Sequence, residues 1–318
     1  MEMKLEKPAG PAGTLTKQLR RTAKQTMRQL FGERNQYYLR ARAYLWLDRW
    51  RGRRPLFVHQ MGKVGSTTVV NSLLPYLQGQ KRVIHQTHFL SFEGTAFVEE
   101  LEISGHGSWQ RLPPKTKRFL IKSRVLGQAL SNGYPGQDKA QVITLVRDPV
   151  ATNISGFFHN ADWWPPTLIA QCQARSTGWK TALLEQFLTT YPHDTPLRWF
   201  DIELKPIFGV DVYATTFPYA QGYQVYETAK THLLLLKLEA LNTSAPAAFQ
   251  AFMGINDFAL VKTNLAEDKW YADLYQEFMQ DLSLPSSYLS QLYDSRYTRH
   301  FYSNAERQAL ATRWSSPA

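Results

Sequence analysis

The sequence predicts an α/β protein: a three-layer sandwich around a central parallel sheet, with a P-loop-like turn and a basic helical extension at its N-terminus. Three observations lead there. Phe57-Val58-His59-Gln60-Met61-Gly62-Lys63-Val64-Gly65-Ser66-Thr67-Thr68 is a short apolar strand that breaks into a glycine-flanked lysine and then a hydroxyl cluster able to open a helix. Val142-Ile143-Thr144-Leu145-Val146 reads as a second strand; it ends in Arg147, with Asp148 at a helix N-cap position and Pro149 at the first helical position. The charge is segregated: residues 1–54 hold fourteen Lys and Arg against four acids, +10 of the chain's +11, which leaves a near-neutral domain over 55–318.

The elements follow in order. Leu15, Leu19, Ala23, Met27 and Leu30 recur at helical spacing among Lys17, Arg20, Arg21, Lys24 and Arg28, which predicts a basic amphipathic helix ended by Gly32. Residues 34–50 add Tyr37, Tyr38, Tyr44, Leu45, Trp46 and Trp50, so residues 14–50 suit an anionic membrane surface or, equally, packing on the domain. Arg51-Gly52-Arg53-Arg54-Pro55 is the junction. Strand 56–60, helix 66–77 with Pro75 as its kink or end, and strand 82–87 then begin a parallel α/β pattern. Helix 115–130, a loop from Asn132 to Gly136, strand 141–146 and helix 150–159 continue it. Beyond, Trp163-Trp164-Pro165-Pro166 and residues 167–200 read as helices and loops over the active-site edge. Leu233–Leu238 is a buried strand, and 266–281 is a helix carrying Lys269-Trp270-Tyr271. With 318 residues, 43% of them hydrophobic, the chain can bury a substantial core.

The chemistry centres on anion binding. Backbone N–H groups at a helix N-terminus carry partial positive charge, so Gly65, Ser66, Thr67 and Thr68 can cradle a phosphate to which Lys63 adds a full charge. The ATP/GTP loop needs Gly-x-x-x-x-Gly-Lys followed by Ser or Thr; here Phe57 stands at the first glycine and Val64 follows Lys63. Arg147, at the carboxyl end of a strand, has a guanidinium that can grip a phosphate with two N–H groups, or can pair with Asp148 or another carboxylate. His85 and His88 lie on or just past the second strand and, three apart, point to opposite faces. His88, nearer the carboxyl end, is the first choice for a general base. His85 orients an acceptor or is a buried structural histidine.

The Lys-x-Gly-Ser/Thr-Thr arrangement at Lys63–Thr67 resembles the 5′-phosphosulfate loop of sulfotransferases that use 3′-phosphoadenosine 5′-phosphosulfate (PAPS). The resemblance implies that Arg147 and Ser155, eight positions later, hold the 3′-phosphate. Further on, Trp199-Phe200-Asp201-Ile202-Glu203-Leu204, Gly209-Val210-Asp211-Val212-Tyr213, Leu233–Glu239 and Asp268-Lys269-Trp270-Tyr271 resemble the bacterial capsular polysaccharide synthesis family named for an Asn-Lys-Trp-Tyr-Ser signature. Asp268 and Ala272 depart from that signature. The combined resemblance spans roughly residues 55–280. It implies a PAPS-dependent sulfotransferase acting on a carbohydrate hydroxyl in capsular or extracellular polysaccharide synthesis. The alternatives are a kinase or glycosyltransferase of capsule assembly, or a non-catalytic membrane-associated assembly protein.

Composition limits the remaining classes. The single cysteine, Cys172, cannot form an internal disulfide and has no base motif beside it, which agrees with a reducing compartment. The eight histidines are scattered, so no metal is expected. No apolar stretch is long enough to span a bilayer, no signal peptide is evident, and no nucleic-acid module accompanies the basic charge. The expected location is cytoplasmic, with possible peripheral attachment to the inner face of the plasma membrane.

Overall fold

A computed structural model describes residues 32–131, 139–261 and 269–315. The helix expected over residues 14–30, the loop from Asn132 to Gly136, and Asp268 lie outside them. The sheet has five strands, β1 (Arg54–His59), β2 (Arg82–Thr87), β3 (Ala140–Val146), β4 (Tyr223–Glu227) and β5 (Thr231–Lys237), in the order β2-β1-β3-β5-β4. Four are parallel, as the alternation of strands and helices requires. β4 is antiparallel to β5, so the expected central parallel sheet carries one antiparallel edge strand. Only residues 228–230 separate the two strands, and a connection that short can join only antiparallel neighbours.

The first helix, α1 (32–50), precedes the sheet. α2 (Ser66–Leu77) has the expected bounds, with Pro75 tolerated in its last turn. α3 (Phe92–His106), unforeseen in the sequence, starts from Ser91, whose hydroxyl accepts from the Gly94 N–H at 2.8 Å. α4 (Pro114–Ser131) and α5 (Pro149–His159) are as expected to within a residue. α6 (Pro166–Gln173), α7 (Trp179–Thr190) and α8 (Thr195–Trp199) lead into a π-helical turn, Phe200–Leu204, and α9 (Lys205–Phe208). α10 (Leu241–Met253), α11 (Ala272–Gln280), α12 (Ser286–Tyr293), α13 (Arg296–Phe301) and α14 (Asn304–Ser315) complete the chain. The helix expected over 266–281 begins only at Ala272. Lys269-Trp270-Tyr271 form a turn before it, closed by the Ala272 N–H donating to the Lys269 carbonyl at 2.9 Å.

Strand alternation sorts the layers. Phe57 and His59 of β1 face Phe208 and Trp199, on the side that also receives His85 and Thr87 of β2. α2 packs on the opposite side, where its Ser66 meets Gln86 of β2. Both faces of the sheet are buried, so β5 reads as an unbroken leucine run, Leu233 to Leu236, each 0% exposed. A second apolar core lies among α5, α6, α7, α11, α12 and α14 and contains Ile154, Phe158, Trp164, Leu183, Phe278 and Trp314. Cys172 is buried there, its thiol pushed up to about 11 by burial, and serves as packing.

α1 is fastened to the domain. Arg34 reaches Glu99 of α3 through two bonds of 2.8 and 3.0 Å and lies over the Trp109 ring, and Lys117 of α4 donates to Glu33 at 3.1 Å. Of the two readings left open for the aromatic segment, packing therefore describes its inner face.

Candidate functional site

The loop from β1 to α2 is held from below by one amide. Gln60, fully buried, accepts from the Gly62 N–H and donates to the Ser66 hydroxyl at 2.9 Å, so it ties both ends of the turn together. Gly62 and Gly65 have φ of +87° and +83°, and Lys63 between them is itself left-handed at +58°. For a non-glycine residue that conformation costs about 1–2 kcal/mol. A Cβ at Gly65 would also come within 2.6 Å of Leu238 Cδ1, so two requirements select glycine there. Gly65 caps α2 without a side-chain acceptor, and the Thr68 N–H closes on the Gly65 carbonyl at 3.1 Å, so the N–H groups of Ser66 and Thr67 are the ones this turn can offer an external anion. Among the residues expected to bind that anion, Ser66 is buried and engaged by Gln60 and Gln86, while Thr67 and Thr68 are half-buried at the mouth.

β3 delivers Arg147 to the same mouth. Its guanidinium donates to the Lys63 carbonyl at 2.7 Å, although 84 residues separate the two. The alternative pairing with Asp148 does not occur: Asp148 caps α5 through Val150 N–H and is otherwise taken up by Tyr293 Oη and Trp314 Nε1, at 2.9 and 2.8 Å. The Arg147 peptide is clamped from both sides by Tyr297, whose hydroxyl donates to its carbonyl at 2.8 Å and accepts from its N–H at 3.1 Å. Glu239, just past β5, accepts from the Asp148 N–H at 2.7 Å. Ser155 sits half-buried on α5, one turn from His159 on the same face.

His88 follows β2 directly and is half-buried beside the loop. Its Nδ1 lies 2.9 Å from the Gln60 carbonyl and 2.8 Å from the Gln60 amide nitrogen, and its own carbonyl accepts from Trp199 Nε1 at 2.9 Å. Burial, then the neighbouring His59 and Lys63, hold its pKa below the ordinary histidine value despite the Gln60 carbonyl, so the ring is neutral at pH 7. His85 goes elsewhere. It faces Phe57 and lines a cavity of about 400 Å³ under α1, with Tyr37, Arg40, Asp48 and Lys122 among its walls. Both its ring nitrogens are buried without a partner, and burial pushes its pKa down to about 3. The two histidines thus part as strand alternation predicted, and His85 is not beside the Lys63 loop.

Two groups given no role in the sequence reading, Lys269 and His159, act electrostatically on the site. Lys63 is held below the usual lysine pKa by burial first, then by Arg147 and by Lys269. His159 is lowered by burial, then by Lys63, Lys269 and His88. Lys269 is brought there by its neighbours: Trp270 Nε1 donates to Asp162 Oδ1 at 3.0 Å, and Tyr271 packs on Phe158 of α5 with ring centres 6.0 Å apart. Among the described residues, no carboxylate is within ion-pair distance of Lys63, Arg147 or Lys269, and no group of three or more His, Cys, Asp and Glu could hold a metal. These cations form no ion pair among the described residues, and their place at the carboxyl ends of parallel strands and at a helix N-terminus suits an anion. Trp164 is buried in the second core; Trp270, next to Lys269, is 43% exposed, and Trp163, 37% exposed, packs on Gly105 and His106 of α3.

A buried carboxylate braces this edge. Glu203, in the π-helical turn and 0% exposed, accepts from the Leu90 and Ser91 N–H groups at 2.7 and 3.0 Å and from the Ser91 hydroxyl at 2.6 Å. It fixes the chain just after His88. Its partners lie more than a hundred residues away, so no local pattern announced it; the only signal was its place in the resemblance at Trp199–Leu204.

No curated protein and no solved structure matches this chain. The matching family model covers a stretch that begins after the Lys63 and Arg147 segments, and so lies further toward the C-terminus than the resemblance read from the sequence. It contains Trp199, Glu203, Glu239, Lys269, Trp270 and Tyr297, the residues that brace His88 and Arg147 or complete the cation cluster. Residues 182–303 match the family described as putative capsular polysaccharide synthesis protein, whose signature Lys269-Trp270-Tyr271 carries in part.

Proposed function

We propose that the chain transfers a sulfuryl group from PAPS to a carbohydrate hydroxyl in capsular or extracellular polysaccharide synthesis. The observation that carries the reading is the bond from Arg147 to the Lys63 loop, which brings two cations that form no ion pair among the described residues to the glycine-capped N-terminus of α2, with Lys269 acting on Lys63 electrostatically. Two separate anionic groups on one small molecule suit such a mouth: a 5′-phosphosulfate on the Lys63 turn and a 3′-phosphate at Arg147 and Ser155. The matched family supports the setting in surface polysaccharide.

In this reading the acceptor oxygen attacks sulfur as the bond from sulfur to the bridging phosphate oxygen breaks, releasing adenosine 3′,5′-bisphosphate. The hydroxyl proton goes to His88. The role requires the tautomer whose Nδ1–H donates to the Gln60 carbonyl, in place of the one whose Nδ1 accepts from the Gln60 amide; Nε2 then keeps its lone pair, and the depressed pKa keeps it available at neutral pH. Negative charge moves to the leaving phosphate oxygen, where Lys63 and the first N–H groups of α2 stabilise it. Trp270, next to Lys269 and 43% exposed, offers a flat surface for a sugar ring. His159, neutral beside three other basic groups, adds a second hydrogen-bonding site for the acceptor.

Calorimetric titration with adenosine 3′,5′-bisphosphate, ADP and a UDP-sugar tests the reading. At least tenfold tighter binding of the 3′-phosphorylated nucleotide is expected. Preference for ADP or the UDP-sugar would point to a kinase or glycosyltransferase instead, and binding of none of them to a non-catalytic assembly protein.

A further inference from the structure

α1 is apolar on two sides. Tyr37, Ala41 and Leu45 turn inward to the domain, while Leu39, Ala43, Trp46 and Trp50, at spacings of four, three and four, form a stripe on the opposite side. Leu39, Trp46 and Trp50 are 44%, 61% and 73% exposed, and the two indoles stack on each other with centroids 6.4 Å apart. A helix apolar on both faces needs a second apolar partner. Arg42 and Arg49 flank the stripe, and both acids of the helix are turned away from it, Glu33 to Lys117 and Asp48 to Arg53.

That charge pattern selects the partner. A second copy meeting this face about a two-fold axis would bring Arg42 and Arg49 against their own counterparts with no acid between. The chain's residues 1–31, which hold seven Lys and Arg against two acids, carry the same sign. We propose that the outer face of α1 rests on an anionic membrane surface, with Trp46 and Trp50 at headgroup depth and Arg42 and Arg49 on lipid phosphates. The helix lies along the surface, and its inner-face ion pairs set the orientation of the domain on the bilayer. Among the described residues no helix is long and apolar enough to cross a membrane.

The test is flotation of the full chain with phosphatidylcholine vesicles with and without phosphatidylglycerol, alongside light scattering for the oligomeric state. Binding that needs phosphatidylglycerol and weakens with salt is expected. Trp46→Glu with Trp50→Glu should abolish it, with thermal unfolding and nucleotide binding unchanged because both side chains are exposed. Arg42→Gln with Arg49→Gln should weaken it ~30-fold. Equal vesicle binding by wild type and the tryptophan pair would overturn the proposal, as would a dimer or a nucleic-acid complex that this pair dissolves in a protein that never floats with vesicles.

Discussion

Lys63 concentrates the chemistry of the loop. Its left-handed backbone, at φ +58°, is an arrangement a non-glycine residue holds only where its surroundings impose it, and here Gly62 and Gly65 on either side and the Arg147 guanidinium on its carbonyl do so. Its ammonium is destabilised by burial and by two cations, so an incoming anion relieves a cost already present in the free protein. Charge that develops on a leaving phosphate oxygen benefits most. Lys63→Ala is expected to lower kcat about 10²- to 10³-fold with a much smaller change in KM for the sulfuryl donor. Steady-state kinetics of the variant checks this; a raised KM with unchanged kcat would assign Lys63 to ground-state binding alone.

At the scale of elements, β2 shows how a strand divides its residues between unrelated tasks. Gln86 turns to α2 and the anion loop; His85, one position earlier, turns to the cavity under α1. His85 has a folded pKa of about 3 against an ordinary 6.5, so between those values the unfolded chain binds more protons than the folded one. Stability from this group is then fully present above pH 6.5 and is lost as pH falls, by up to ~1.4 kcal/mol per unit. Denaturant unfolding at pH 7 and pH 5 should show a smaller loss for His85→Leu than for wild type, and equal losses would contradict the assignment. The bounds of α2 and β2 were legible in the sequence because glycines and hydroxyls punctuate them locally. β4 was not, being a short half-exposed edge strand defined by its partner, and neither was the turn at Lys269-Trp270-Tyr271, which is shaped by contacts to Asp162 and Phe158.

Across the whole molecule, the segment matched by the family model braces a site whose central lysine and arginine lie N-terminal to it. Trp199 and Glu203 hold the chain on either side of Phe89, Glu239 and Tyr297 hold the peptides around Arg147, and Lys269 completes the charge. This division explains which parts of the site could be read in advance. Lys63, Arg147 and His88 stand at strand ends marked by local patterns, whereas Glu203, Tyr297 and Lys269 act across 112 to 150 residues or more, where spacing carries no information. The account rests on Arg147 and the Lys63 loop gripping one nucleotide between them, and titration of adenosine 3′,5′-bisphosphate into wild type and Arg147→Ala tests it most directly. The account predicts at least a tenfold loss of affinity in the variant with its fold intact by circular dichroism; equal affinity in the two proteins would contradict it.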